Sequence, residues 1–400
     1  MSKFGEKKCA ITGLGQSPVG RRLNRSGLDL TIEASLEAIA DAGLTPADID
    51  GVATWPGAAS NSAAPGHSPV GVYEIKDALR LDLNWFAGGE ESAGQFGSIV
   101  NACAAIACGL ARHVLCFRTL TESSSQTPER RASVQGTGGE VPVNGMLSYI
   151  LPFGAVSPAN WIAQYASRHF HLYGTTREQL GAIAVNQRRN AMLNPKAVMR
   201  SPLSLEDYIA ARMISSPLCL FDCDVPVDAS TAIIVSARDE ARDCRNPPIR
   251  IESIGCAHRG RFSWDQHEDL STHQPIRDAS KMMWSRTDLK PSDVDVAELY
   301  DGFSVICLSW LEELGFCGIG EGGSFVEGGD RIALDGPLPL NTHGGQLSGG
   351  RTHGFGFVHE ACVQLRGEGG ERQVAGSPEV AVAASGGGIF GCSLLLARDN

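Results

Sequence analysis

The sequence repeats itself, and a repeat of this size restricts the fold to a duplicated architecture. The run LTPADIDGV at 44–52 matches LKPSDVDVA at 289–297, an offset of 245 residues. A chain of 400 residues also exceeds what one hydrophobic core normally serves. We therefore predict two similar α/β halves built of βαβ-type units, an N-terminal half over 1–245 and a C-terminal half over 246–400.

Two further pairs of segments follow the same order. AITGLG at 10–15 resembles IESIGC at 251–256, and NACAAI at 101–106 resembles EACVQL at 360–365. Three ordered matches are hard to obtain by chance. The first half is longer by about a hundred residues, and we expect that excess to form an inserted loop domain at about 119–227.

Local patterns predict the elements of the first half. An amphipathic helix is expected to end before Gly43, since glycine readily takes the left-handed conformation after a helix. The following strand is expected to end near Trp55, and its counterpart in the second half near Tyr300. The predicted apolar stripe of the helix consists of Leu28, Ile32, Leu36, Ile39 and Ala40.

The inserted region and the first glycines invite more specific interpretations. A polar loop at 122–129 and a glycine-rich stretch at 136–139 open the insert, and Thr175-x-x-Glu178 predicts a capping box for a helix. Gly13-Leu-Gly15 suggests a dinucleotide-binding loop, but the third glycine of that fingerprint is missing. We therefore predict a plain strand-to-loop turn there.

Composition excludes several classes of function. A formal charge of −11 argues against nucleic acid and against anionic membranes, since both need a basic surface. No run of about 18 apolar residues is present, so no membrane span is expected. The twelve cysteines lack the spacing of a zinc site and the start resembles no secretory signal, so we expect reduced thiols, no bound metal and a cytoplasmic location.

Four segments resemble the thiolase superfamily. NTHGGQLSGGRTHG at 341–354 looks like the thiolase pattern N-x-x-G-G-x-x-x-x-G-H-P-x-G, and SGGG at 385–388 looks like its final C-x-G-G-G. ELYDGFS at 298–304 and PLCLFDCDVPVDASTA at 217–232 resemble the sterol-carrier-type branch. The resemblance implies a thiolase fold, a five-layer αβαβα arrangement of two duplicated halves.

The departures from the thiolase pattern concern its reactive groups. The resemblance aligns Ser92 with the nucleophilic cysteine, Arg351 with the catalytic histidine and Ala384 with the second cysteine. Thiolysis needs a thiolate and a base, so we predict that thiolase activity is absent. Alkylation of thiols is expected to leave any activity intact. Ser92 then has two interpretations, an acyl-accepting nucleophile or an ordinary helix N-cap.

A retro-aldol reaction needs no nucleophile and suits the groups that remain. It requires a base for a 3-hydroxyl group and donors for the thioester enolate. We predict Tyr300 as the base, with Arg351 lowering its pKa, and we place Asp301 and His353 beside it in the site. Tyr300 as an ordinary core residue, Asp301 as a turn cap and Arg351 as a ligand for coenzyme A phosphates remain alternatives.

Donors for the enolate oxygen are expected from backbone N–H groups. We name Ser92 and the triple glycine Gly386, Gly387 and Gly388 for this role, and we place His343 in the lining because the matching thiolase segment lines the site. No bound cofactor is expected; coenzyme A enters as part of the substrate.

Resemblance to bacterial steroid side-chain aldolases points to cleavage of a bulky, steroid-like 3-hydroxyacyl-CoA. The alternatives are acyl transfer by an atypical thiolase, and a non-catalytic acyl-CoA or lipid carrier or structural subunit. The resemblance also implies a homodimer and a small zinc-ribbon and oligonucleotide-fold partner protein.

Overall fold

The computed structural model describes residues 3–61, 65–126, 147–155, 157–261, 263–264, 267, 269–271 and 273–399. Its strands are β1 (Cys9–Gln16), β2 (Gly51–Thr54), β3 (Trp85–Gly88), β4 (His113–Thr121), β5 (Met213–Ser215), β6 (Leu218–Cys219), β7 (Asp228–Ala237), β8 (Ile249–His258), β9 (Val296–Leu299), β10 (Val380–Gly386) and β11 (Phe390–Arg398).

The α-helices among the described residues range from four to seventeen residues. They are α1 (Gly27–Asp41), α2 (Val72–Leu79), α3 (Gly97–Ala107), α4 (Glu122–Ser125), α5 (Leu147–Ile150), α6 (Pro158–Tyr173), α7 (Arg177–Leu193), α8 (Leu205–Ala210), α9 (Arg238–Ala241), α10 (Gln274–Trp284), α11 (Ser304–Glu313), α12 (Gly322–Val326) and α13 (Phe355–Arg366). None of them is long and apolar enough to cross a bilayer.

One nine-stranded sheet runs through both predicted halves, in the order β3-β2-β4-β7-β1-β8-β11-β10-β9. Outward from β1 the neighbours are β7, β4 and β2, and outward from β8 they are β11, β10 and β9, so the two sides repeat each other. The antiparallel pairing of β1 with β8 joins them, at Ala10 with Arg250 and Ile11 with Ile249. The mixed α/β class is confirmed, whereas the boundary at 245 stays a prediction.

Strand β4 shows how the sheet of the first half is buried on both faces. Val114 and Cys116 pack on the side of α3, while Leu115 and Phe117 pack on the side of α1. All four are fully buried. Four consecutive apolar residues whose side chains alternate between the two faces are typical of a sheet that lies between two helical layers.

Helix α1 buries a different stripe from the predicted one. Its buried apolar residues are Leu30, Ala34, Ala38 and Ile39, and Leu36 is exposed. The small residues face the sheet because β1 approaches closely: a Cβ at Gly13 or Gly15 would lie 2.1 Å from a backbone oxygen of the helix. Both glycines belong to β1, so the predicted turn is wrong, and close packing explains them.

The ends of two helices test the sequence rules directly. Gly43 has a φ of +76° just after α1, as predicted. The capping box of α7 lies one residue later than predicted, at Thr176 and Gln179. Thr175 instead bonds to Nδ1 of His169 at 2.8 Å. The predicted polar loop begins with the short helix α4, and the glycine-rich stretch at 136–139 lies outside the described residues.

Helices α3 and α13 are counterparts in the repeat, because their last residues, Ala107 and Arg366, differ by 259, which is the offset between the matching segments at 101–106 and 360–365. Ser92 precedes α3 by five residues and Arg351 precedes α13 by four. Ser92 is therefore not the N-cap of α3, a position that Phe96 holds without a capping bond. The loop between Ser92 and the helix contains a 3₁₀ turn that the sequence did not indicate.

Candidate active site

A cavity of about 660 Å³ contains three of the predicted site residues, Tyr300, Arg351 and His353. Its polar lining also includes Gln95 and Asp224. Gln126, Ser157 and Arg212 add further polar groups to the wall. Its apolar part, which is partly aromatic, is formed by Trp55, Pro158, Ile162, Ile214, Leu220, Pro226, Trp264, Phe303 and Ile306. Flat rings around a few converging polar groups are typical of a site for a large apolar ligand.

Tyr300 follows the end of β9 and is largely buried. Burial raises the pKa of its phenol, the nearby Asp224 raises it further, and Arg351 only partly opposes both. The predicted lowering of this pKa is therefore wrong in its net direction. The neutral phenol is the form present near pH 7, and a neutral phenol donates a hydrogen bond.

Arg351 is held between two buried carboxylates. Its Nε and Nη2 lie 2.8 and 2.7 Å from Oε2 of Glu122, and its Nη1 lies 3.1 Å from Oδ1 of Asp224. Burial raises the pKa of Glu122, but Arg351, His67 and His353 together outweigh burial and hold that pKa well below its ordinary value. Burial raises the pKa of Asp224 to about 6 despite its contact with Arg351. Asp224 also raises the pKa of Tyr300, so this carboxylate adds to the effect of burial and opposes that of Arg351.

His353 has a rare backbone conformation, and its ring nitrogens lack hydrogen bonds to the described residues. Its φ is +48°, a conformation that side-chain-bearing residues rarely take, and its N–H donates to Oε1 of Gln346 at 3.1 Å. Neither ring nitrogen makes a hydrogen bond to a described residue. Burial, His67 and Arg118 lower the pKa of this imidazole well below its ordinary value. The ring is therefore neutral near pH 7, so one of its two nitrogens carries no proton.

His67, Glu122 and His353 form a cluster whose ligand atoms lie within 4.8 Å of one another, close enough to share a metal ion. Two guanidinium groups oppose that. Arg351 already binds one oxygen of Glu122, and Nη2 of Arg118 lies 3.4 Å from the ring of His67. Because positive charge surrounds the cluster, we assign it no metal.

Four charged or titratable residues of this region escaped sequence reasoning: His67, Arg118, Glu122 and Asp224. Two of them could have been found from the sequence: Arg118 interrupts the apolar run of β4, and Glu122 directly follows that strand. Asp224 lay inside a segment already matched to thiolases. His67 lies in a loop and offered no pattern.

The predicted donors of an oxyanion site are mostly engaged elsewhere. The N–H of Ser92 donates to the carbonyl of Glu90 at 2.8 Å, and the N–H of Gly387 donates to the carbonyl of Phe390 at 2.8 Å. Oγ of Ser92 accepts from Asn101 at 3.3 Å, and Ser92 is absent from the cavity lining. Neither the nucleophile nor the enolate-binding role of Ser92 is supported by this geometry.

The triple glycine has a packing role instead. A Cβ at Gly387 or Gly388 would lie 2.6 to 2.7 Å from the indole of Trp264, and Gly386 takes a φ of +93°. The absence of side chains lets Trp264 lie on the chain and form part of the cavity wall.

Asp301 and His343 are also placed away from Tyr300's cavity. Oδ1 of Asp301 accepts from the N–H of Gln346 at 2.7 Å, and burial raises the pKa of this carboxyl to about 7. Nδ1 of His343 lies 2.9 Å from Oε2 of Glu298. His343 lines a separate cavity of about 150 Å³. Asp301 thus pairs with a backbone amide 45 residues away and stabilises the loop before α13, which is the structural interpretation of a carboxylate that binds a backbone N–H.

One cysteine, Cys223, lines the large cavity, and it therefore bears on our expectation that alkylation of thiols leaves the activity intact. Cys223 is partly buried, and its Sγ contacts the carbonyl of Cys219 at 3.6 Å. Burial and then Asp224 raise the pKa of this thiol. A nucleophilic cysteine needs a lowered pKa, so Cys223 is poorly suited to thiolase chemistry.

The relationship to known proteins agrees with this geometry. Residues 256–396 match the family described as thiolase, C-terminal domain-like. The chain is 35% identical over 402 residues to the "Steroid side-chain-cleaving aldolase" of Thermomonospora curvata, with 98% of each chain covered.

The chain belongs to the thiolase superfamily.

Two further relatives have the same extent. The "17-hydroxy-3-oxo-4-pregnene-20-carboxyl-CoA lyase" of Mycobacterium tuberculosis is 35% identical, with 95% of this chain and 97% of that one covered. A solved structure described as "Ltp2-ChsH2(DUF35) aldolase" has a TM-score of 0.84 at 32% identity, covering 98% of each chain. The predicted thiolase fold is thereby confirmed. The residues that line the large cavity do not include a cysteine with a lowered pKa, which the thiolase reaction needs.

Proposed function

We propose that this protein is an aldolase that cleaves a bulky, steroid-like 3-hydroxyacyl-CoA. The observation that carries the proposal is the single cavity in which Tyr300, Arg351 and His353 meet aromatic and aliphatic walls. The activities of the two relatives with near-complete coverage, a side-chain-cleaving aldolase and a CoA lyase, support it. A volume of about 660 Å³ lies within the range of sites for drug-sized ligands.

The proposed reaction moves one proton and breaks one carbon–carbon bond. A base removes the proton of the 3-hydroxyl group, the C2–C3 bond breaks, and its electron pair forms the thioester enolate. A ketone or aldehyde leaves, and protonation of C2 completes the shortened acyl-CoA. The enzyme must therefore supply a base and a donor that stabilises the enolate oxygen.

We assign the base to His353 and the donor to Tyr300, whereas the sequence predicted Tyr300 as the base and backbone N–H groups as the donors. The ring nitrogens of the neutral His353 make no hydrogen bond to a described residue, whereas the phenol of Tyr300 retains its proton near pH 7. A hydrogen bond from a neutral phenol strengthens as negative charge develops on the thioester oxygen. Arg351 binds Glu122 and Asp224 and so fixes these two carboxylates close to His353 and Tyr300.

The pH dependence of kcat separates the two assignments. The pKa of His353 lies below its usual range, so kcat is expected to stay level from about pH 7 to 9 if His353 is the base. His353→Gln should lower kcat by roughly 10²-fold, while His359→Gln, at a partly buried histidine outside this cavity, should retain it. A steady rise of kcat through this pH range would return the role of base to Tyr300.

A substrate panel tests the reaction class. The protein is incubated with 3-hydroxyacyl-CoAs and 3-oxoacyl-CoAs, the latter with free coenzyme A, and the products are identified by mass spectrometry. We expect cleavage of bulky 3-hydroxyacyl-CoAs, no acetyl-CoA from acetoacetyl-CoA, and activity within about threefold in Cys223→Ala. Thiolysis at ordinary rates, on the order of 10 per second, would contradict the proposal.

Two features support the assembly that we propose, a homodimer that works with a small partner protein. Strand β3 is an edge of the large sheet, and Phe86 on it and the adjacent Tyr73 are exposed and in contact, with ring centroids 5.8 Å apart. Exposed aromatic side chains at a sheet edge suit a second copy of the chain. The similar aldolase structure names two components, Ltp2 and ChsH2(DUF35), and this pairing supports the small partner.

A further inference from the structure

Arg118 is a buried arginine without the usual carboxylate partner. It lies on β4 with 1% of its surface exposed. Its Nη1 lies 3.4 Å from the carbonyl of Thr119, and its Nη2 lies 3.4 to 3.5 Å from the two ring nitrogens of His67. Its Nε has no partner among the described residues, and no ion pair to a described carboxylate is formed.

Such a charge is costly for the fold. Burial lowers the pKa of Arg118 to about 9, which still leaves the guanidinium protonated near neutral pH. Transferring an unpaired cation from water to the protein interior is strongly unfavourable, and replacing it by an apolar side chain of similar volume often stabilises a protein. Packing alone therefore does not account for an arginine at this position.

The surroundings of Arg118 indicate where its charge acts. Its guanidinium lies over the indole of Trp55, 5.6 Å from the ring centroid, and Trp55 lines the large cavity. Its electrostatic partners include Glu122 and Tyr300. Glu122 is already paired with Arg351, so the positive charge of Arg118 remains available to an anion that forms in the cavity.

We propose that Arg118 is a positioning residue that favours the thioester enolate through its electrostatic field from behind the cavity wall. The inference rests on the proposed aldolase function, because that reaction generates the anion. A preorganised charge in a low-dielectric interior stabilises developing charge without reorganising during the reaction. Since Arg118 is absent from the cavity lining, the expected effect is on kcat and not on substrate binding.

The test compares, in the full chain, one buried arginine that lacks a carboxylate partner with one that has such a partner. Arg118→Met removes the unpaired charge, and Arg118→Gln is measured in parallel in case the methionine variant does not fold. Arg366→Met is the matched control, because the side chain of Arg366 is 2% exposed but pairs with Asp41 at 2.7 Å, far from the cavity lining. Cleavage kinetics and thermal unfolding are recorded for each variant.

For the Arg118 variants we expect kcat to fall by roughly 10- to 100-fold, KM to stay within about threefold, and Tm to equal or exceed that of the parent. For Arg366→Met we expect the reverse, with kcat within about twofold and a lowered Tm. An Arg118 variant that keeps kcat within about twofold, or that loses as much Tm as Arg366→Met, overturns the inference alone. A parent protein that cleaves no 3-hydroxyacyl-CoA overturns the proposed function and this inference with it.

Discussion

Replacing Tyr300 by phenylalanine is expected to lower kcat for cleavage of a 3-hydroxyacyl-CoA by roughly 10²- to 10⁴-fold. The substitution removes one hydroxyl group from the cavity and keeps the ring, which is packed against Phe357 with centroids 6.2 Å apart. The enolate oxygen then loses its neutral phenol donor. Because the ring still fills its space, KM and the unfolding temperature should change little.

The matched control for this experiment is Tyr173→Phe. Tyr173 is exposed and contacts the ring of His169, outside the cavity lining. Its kcat should remain that of the parent protein. A Tyr300→Phe variant with undiminished cleavage would remove Tyr300 from the mechanism. A variant with lowered stability as well as lowered kcat would restore the alternative of a structural tyrosine.

Replacing Arg351 by methionine is expected to destabilise the fold by about 3–5 kcal/mol, the usual cost of removing one partner from a buried ion pair. The guanidinium contacts both Glu122 and Asp224, which are almost completely enclosed. Without it, two carboxylates remain in the interior next to one another. Unfolding by urea, followed by circular dichroism, measures the difference.

Arg25→Met provides the comparison for Arg351. Arg25 pairs with Asp29 and Glu33 at 2.6 Å, but all three side chains are open to solvent, so its loss should change the free energy of unfolding far less. If Arg351→Met costs as little as Arg25→Met, water reaches the carboxylates and the cluster is not a rigid support for the cavity. Arg351→Lys should be intermediate in stability, because an ammonium keeps the charge but cannot contact both carboxylates with planar geometry.

The sequence specified the arrangement of elements better than the contents of the site. The ordered repeats paired the segments that form α3 and α13 and predicted the strands that end next to Trp55 and Tyr300, because spacing along a chain is preserved when a fold is duplicated. The buried stripe of α1 was predicted wrongly, because large apolar residues were expected to face the sheet. The close approach of Gly13 and Gly15 selects small residues such as Ala34 and Ala38 instead.

The polar groups around the cavity were the hardest to predict. Glu122 and Arg351 are 229 residues apart, and no periodicity relates an ion pair at that separation. The pKa of Tyr300 was predicted from one neighbour, Arg351, although burial and Asp224 decide it. Ser92 was aligned with a helix start, and the intervening 3₁₀ turn moved it out of the cavity lining.

Trp55 and Tyr300 are separated by the same 245 residues as the repeated segments, and both line the cavity. Each follows the equivalent strand of its half, so the duplicated positions meet across one binding space. Two identical subunits related by a symmetry axis could only present the same residue from both sides. Fusion into one chain removes that constraint, so one copy could become a hydrophobic wall while the other became a hydrogen-bond donor. The cleavage reaction releases one fragment and retains the other, so it needs different groups on the two sides of the cavity. A single duplicated polypeptide can supply this difference.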